Sequence, residues 1–258
     1  MKKIYTIGDI HGDYDKLYEL LNKHNIVEDS TWIADDSTLI CIGDLMDRGK
    51  NGLAVLDLIM NLEKQALAVG GNVISLMGNH DAIMIAMASI INEEFEERDC
   101  YDVFIYNGGF IHEAENIAAN KNKLDWLKNR PLMHKQNNIL FQHADTAKYY
   151  LSFGNNVEEI KNNGLKLSQS GDGAWNVFFE MTDSRFWDNA NGDYINQYLN
   201  LMDVNKIVHG HTRFVGSSPQ FYFDNKIVNV DGSMSCGYRN DPDRGFIVVF
   251  DENGNIYS

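Results

Sequence analysis

Along this chain, apolar residues come in short runs that stop abruptly on polar side chains. KKIYTIGDIHG stops at Asp9, STLICIGDLMDRG at Asp44 and Asp47, and NVISLMGNHD at Asn79 and His80. Further along, NNILFQHAD stops at His143 and NKIVHGHT at His211. Each run is about four to six residues of β-branched or aliphatic type between turn formers, which predicts buried strands. Segments 13–24, 51–68 and 80–98 repeat apolar residues every three or four positions and predict helices. Strand–helix alternation predicts α/β packing, with sheets covered by helices. The pattern is less regular over 99–137, which looks helical, and over 145–200, which is mixed. After 205, KIVNVDGS and GFIVVFD read as short strands, so the C-terminal third is expected to be mainly β. No internal repeat, low-complexity tract or Pro- or Ser-rich linker interrupts residues 1–258, which favours a single domain.

Composition narrows the function classes. With 258 residues, 44% hydrophobic and 23% charged, the chain has ample core for a large globular domain. No apolar run approaches the roughly 18 residues of a membrane span. Met1-Lys2-Lys3 is followed by an apolar stretch that breaks at Gly8-Asp9, so it reads as a first strand and not a signal peptide. Cys41, Cys100 and Cys236 are odd in number and far apart, and are expected as buried or inert free thiols in a reducing cytoplasm. The net charge of −15 predicts a surface that repels nucleic acid. To handle phosphate, such a chain needs local cations that overcome its global field.

In open α/β sheets, functional groups gather outside the carboxyl ends of the strands. Asp9, His11, Asp44, Asn79, His143 and His211 can therefore converge from distant parts of the chain. Two carboxylates, three imidazoles and an amide oxygen suit hard-to-borderline divalent ions. They are too many for one tetrahedral zinc with an open position, and they suit two adjacent ions sharing a carboxylate. Taken singly, each has a blander reading. Asp9 and His11 could form a capped turn, and Asp47 and Arg48 a local ion pair. His209 competes with His211 for the last ligand position, both being expected on one strand face. His24, His112 and His134 are expected to be structural or exposed, and the acidic run at 92–99 to be a solvated helix face.

GDIHG, GDLMDRG and GNHD, in that order and spacing, resemble the three signature blocks of the phosphoprotein phosphatase family of calcineurin-like binuclear metallophosphatases. HAD and GHT resemble its two later histidine blocks. The resemblance covers about residues 4–213 and is faint within 145–205. It implies a four-layer αββα sandwich, with two mixed sheets flanked by helices and a dinuclear site at the strand ends. It also implies that Asp9 and His11 bind the first metal, that Asp44 bridges both, and that Asn79, His143 and His211 bind the second. His80 would be the general acid, kept protonated by Asp47, and Arg48 would grip the phosphoryl oxygens in a fork. Arg185 in TDSRFWDN is the first candidate for the family's second phosphate-binding arginine, ahead of Arg213 and Arg239. Three positions depart from the pattern. Asp81 ends the third block where Glu is usual, and His112 stands where relatives often place Thr. Arg213 follows the last GH by two places, where many binuclear nucleases and phosphodiesterases carry a further histidine, which favours phosphomonoester or pyrophosphate hydrolysis over diester cleavage.

Two dications would outweigh Asp9 and Asp44 and draw a phosphate to a strongly acidic protein. A hydroxide between the metals would attack phosphorus in line, while an imidazole with a pKa near 7 protonates the leaving oxygen. The expected protein is a metal-dependent phosphatase acting on phosphorylated protein (Ser/Thr first, with Tyr as an extension) or on small phosphate esters. A dinucleoside tetraphosphate hydrolase is the alternative. An inactive phosphate-binding regulatory module is the rival from another class, although no ligand and no acid is missing. Two divalent ions are expected, manganese first, with iron, zinc and nickel suited to the same N/O set. No nucleic-acid or membrane partner is expected, and the expected location is cytoplasmic.

Overall fold

The computed structural model describes residues 2–182, 191–238, 242–251 and 254–257. Strand β1 (Ile4–Ile7) and helix α1 (Tyr14–Lys23) are followed by the short pair β2 (Val27–Glu28) and β3 (Thr31–Trp32). Then come β4 (Thr38–Cys41), α2 (Gly52–Ala68), β5 (Asn72–Ser75) and α3 (Asn79–Ile91). Helices α4 (Cys100–Tyr106), α5 (Ile111–Ala119) and α6 (Lys121–Lys128) lead to β6 (Met133–Gln136) and β7 (Ile139–Gln142). Next are α7 (Lys148–Ser152), α8 (Val157–Leu167), α9 (Gly171–Thr182) and α10 (Gly192–Met202). Strands β8 (Lys206–His209), β9 (Gln220–Tyr222), β10 (Ile227–Asn229), β11 (Ile247–Phe250) and β12 (Ile256–Tyr257) follow.

The strands form two mixed sheets, ordered β12-β11-β1-β4-β5 and β6-β7-β8-β10-β9. In the first, β1, β4 and β5 are parallel, with β11 and β12 antiparallel at one side. In the second, β7, β8 and β10 are parallel between antiparallel β6 and β9. Side chains alternate across a strand, so each sheet presents two faces. Ile4, Ile40, Ile42 and Leu76 of the first sheet meet Phe141, Val208 and Val228 of the second in one apolar layer. Phe141 and Phe250 pack there edge to face at 6.0 Å. The alternate residues, among them Tyr5, Leu39, Leu140 and Ile207, turn outward into the helix-covered core. Helices α1 and α2 pack together beside the first sheet, and α8 packs on β6 of the second. These are the flanking helix layers expected of an αββα sandwich.

The local signals explain most boundaries. Asp13 caps α1 by accepting from the Lys16 amide at 3.1 Å. Helix α3 ends at Ile91, short of the expected 98. Glu93 takes a positive φ of 58° and is exposed, as are Glu94 and Glu96. A helix through this run would stack like charges three and four apart, with Phe95 as its one apolar residue to offset them. The run is solvated as expected, but it is not helical. Within 145–200 the described elements are all helices. Gly171 and Gly173 weaken the helical pattern of α9 in sequence, yet a Cβ at Gly173 would lie 2.0 Å from the Leu167 carbonyl oxygen, so the bare backbone permits this approach. No helix among the described residues is long and apolar enough to cross a membrane.

Phe141 is fully buried between the sheets. Phe141→Ala is expected to lower the unfolding free energy by about 3–5 kcal/mol, measurable as a reduced denaturant midpoint with an unchanged slope.

Candidate metal centre

The polar blocks leave the carboxyl ends of parallel strands β1, β4, β5, β7 and β8. Their turns are tight: His11, Asp44, Asp47, Arg48 and His211 all adopt positive φ, between 44° and 64°. Non-glycine residues in this region store strain of roughly 1–3 kcal/mol each, so surrounding contacts must hold them. At Gly78 a Cβ would lie 2.1 Å from Asp44 Oδ1 and 2.3 Å from the Asp44 amide nitrogen, which leaves room for glycine alone.

Asp44 stands at the centre. Its Oδ2 lies 3.5 Å from Nε2 of His11 and 3.5 Å from Nε2 of His143. Asp9, His11 and Asp44 form one cluster of donor atoms, and Asp44, His143 and His211 form a second, each within 4.8 Å. Asn79 Oδ1 sits 2.9 Å from His143 Nε2, turned inward because its Nδ2 donates to Thr182 Oγ1 at 3.2 Å. His143 Nδ1 donates to the Ile42 carbonyl at 3.0 Å, so Nε2 of the neutral ring presents its lone pair. His11 is held likewise, Nδ1 on Asp47 Oδ1 at 2.9 Å, and burial pushes its pKa down to about 4. Asp9 accepts from the His211 amide at 3.0 and 3.1 Å.

This donor set fits a pair of divalent cations. Lone pairs face one another from imidazole, amide and carboxylate, with the Nδ1 protons of His11 and His143 spent on outer partners. Asp9 and Asp44 are only 3% and 1% exposed. Burial, then Asp231, pushes the Asp9 carboxyl well above its usual range; burial, then Asp9, does the same to Asp44. Positive charge between them would offset that penalty.

Beside the cluster, Asp47 accepts from two histidines, His11 through Oδ1 and His80 Nδ1 through Oδ2 at 2.5 Å. Burial alone would raise this carboxyl, but His80 and His11 outweigh it and hold it well below the ordinary range. Asp81, the shortened acid of the third block, still reaches its contacts. Its Oδ2 accepts from the amides of Asp44 and Gly78 at 2.9 Å each, and its Oδ1 from Leu45 at 3.1 Å. Burial pushes Asp81 up to about 6 despite these donors. Arg48 closes its fork on two imidazoles, Nη1 to His11 Nε2 and Nη2 to His80 Nε2, both at 2.7 Å.

The structure therefore brings together Asp9, His11, Asp44, Asp47, Arg48, Asn79, His80, His143 and His211. Arg185 and Arg239 lie outside the described residues. His209 and His211 do not share a strand face, because β8 ends at His209 and His211 lies in the following turn. His209 is buried with Nδ1 on the Gly210 carbonyl, while His211 joins the donor cluster. Cys41 and Cys100 are buried, with their thiols pushed up to about 12, but Cys236 is exposed. Sequence reasoning missed three contributors. Thr182 orients Asn79, Asp145 accepts from Thr212 Oγ1 at 2.9 Å and so joins the two late histidine blocks, and Tyr238 lies 4.9 Å from the Arg48 guanidinium. No pattern marked the first or third; Asp145 stood in the quoted HAD block without a role.

Residues 2–216 match the family model for calcineurin-like phosphoesterases. The chain belongs to that family and is a metallophosphoesterase. It is 28% identical to Shewanella-like protein phosphatase 1 of Plasmodium berghei (strain Anka), over 90% of this chain and 67% of the relative. It is 32% identical to a symmetrical bis(5'-nucleosyl)-tetraphosphatase of Pasteurella multocida (strain Pm70), over 54% of this chain and 43% of that one. The fold superimposes on a cold-active protein-tyrosine phosphatase of a psychrophilic Shewanella species with TM-score 0.74 at 24% identity, covering 98% of this chain and 76% of that one.

Gly78→Ala is expected to lower the melting temperature by about 5 °C or more and to reduce bound metal, as read by thermal melts and elemental analysis.

Proposed function

We propose that this chain is a phosphoprotein phosphatase that hydrolyses phosphomonoesters, on Ser/Thr first and on Tyr as an extension, with two manganese ions. The observation that carries the reading is Asp44, one oxygen at 3.5 Å from each of two imidazoles, beside the His80–Asp47 pair in a cleft of about 550 Å³. The phosphoprotein substrate is supported by the protein phosphatase likeness, which runs over 90% of the chain against 54% for the tetraphosphatase. Manganese suits the mixed imidazole and oxygen donors.

Asp9 and His11 would hold one ion, Asn79, His143 and His211 the other, with Asp44 shared. Bound there, the ions supply Lewis acidity: they neutralise phosphoryl oxygens and make water nucleophilic near neutral pH. The chain does the rest. Arg48 leaves the two imidazoles for the phosphoryl oxygens, which are stronger, charged acceptors for its fork. That movement uncovers His80 Nε2, which accepts from Arg48 until then; freed, it takes up a proton from solvent and gives that proton to the leaving oxygen. Asp47 orients the ring through Nδ1 and stabilises its charged form. The regulatory-module reading lacks its usual mark, since ligands and acid are all present.

His80→Asn is expected to lower kcat by about 10²–10⁴-fold with metal content unchanged, whereas Asp44→Asn should lose both ions by elemental analysis. A phosphopeptide panel run beside diadenosine tetraphosphate tests the substrate. Phosphate release from the peptides supports the proposal. ADP release without peptide turnover overturns it in favour of the tetraphosphatase, and an untouched aryl phosphate favours the inactive module.

A further inference from the structure

One guanidinium in the cleft has no part in the chemistry above. Among the described residues lining it, the permanent cations are Arg48 and Arg213. Arg48 is committed to His11, His80 and the Asn107 carbonyl. Arg213 is exposed and donates no hydrogen bond to a described residue. It is nevertheless held in place. Its guanidinium lies 4.6 Å from the ring centroid of Tyr238, the same ring that Arg48 approaches at 4.9 Å. His11 steadies that ring edge-on at 5.5 Å.

The backbone on either side is anchored too. Thr212 donates through Oγ1 to Asp145, and its carbonyl accepts from Asn229 Nδ2 at 2.6 Å. Two residues before Tyr238, the Cys236 amide donates to Asp13 Oδ2 at 2.8 Å. A cation fixed in this way loses little freedom when it binds. Its donors are presented at the mouth of the cleft, on a chain whose net charge is −15. Such a group discriminates by charge: it favours a substrate with a second anion near the scissile phosphate.

We propose that Arg213, seated on Tyr238, is a specificity-determining residue that binds a second anionic group of the substrate. On the phosphoprotein reading, on which this inference rests, that group is an acidic side chain flanking the phosphorylated residue.

The test uses the full chain and a pair of non-hydrolysable phosphonate peptides that differ only in Glu or Gln beside the phosphoresidue. Binding is measured by calorimetry, and kcat/KM on the matching phosphopeptides. The unaltered chain should prefer the Glu peptide about tenfold in both, a charge-assisted hydrogen bond's worth, and high salt should shrink the ratio. Arg213→Ala should bring the ratio to about one, Arg213→Glu should invert it, and Arg213→Lys should keep most of it. Tyr238→Ala should lose it where Tyr238→Phe retains it. Equal binding of the two peptides, or a ratio unmoved by Arg213→Ala, overturns the inference. A preference seen only for diphosphate over monophosphate inhibitors assigns Arg213 to a second phosphoryl group and overturns the acidic side chain. Failure of the two readings is separable. A binding ratio that stands without peptide turnover sinks the phosphoprotein reading alone, and turnover without a ratio sinks the role of Arg213.

Discussion

A carboxylate buried at 1% exposure between two imidazoles is the constraint around which this molecule is organised. Ionising Asp44 there beside Asp9 is costly without compensating positive charge. The chain nevertheless invests in holding it. Its Oδ1 accepts from the His80 amide at 2.8 Å, and its own amide donates to Asp81. Its backbone sits in the left-handed region, where an L-residue is strained. This effort is intelligible if the centre holds cations, and it accounts for phosphate binding by so acidic a chain. The attraction is confined to a few ångströms, while the field of the whole protein repels.

The sandwich is what makes convergence possible. Parallel strands in both sheets aim their carboxyl ends at one edge, and the apolar layer around Phe141 keeps the two sheets in register with each other. Residues that are neighbours in space then come from strands far apart in the chain. The outer helices contribute less directly. Helix α3 is the exception, since it begins at Asn79 and is buried through Ser89, which fixes the third block from beneath.

Much of this was legible in the sequence, for a physical reason. Strands such as Ile4–Ile7 and Thr38–Cys41 are short, apolar and followed at once by Asp, His or Asn, so the turn, the buried strand and the ligand are written within a dozen residues. Helices α1 and α2 matched their periodicity nearly to the residue. What escaped depends on contacts across the chain. Thr182 and Tyr238 act through neighbours more than 100 and 180 positions away, respectively, and no local pattern marks them. Apolar spacing continues through Phe95, past the end of α3, while the charges around it do not allow a helix. His209 and His211 look alike in sequence because strand alternation fits both, but the strand stops at His209.

Asp47 carries an implication for how such a centre can vary. One of its oxygens steers His11 and the other steers His80. The ring that would grasp an ion and the ring that would release a proton thus share a single hinge point. Drift at this position has no way to tune ion affinity and proton delivery separately, so evolutionary change in either must come from further out, where the walls of the opening are free to differ.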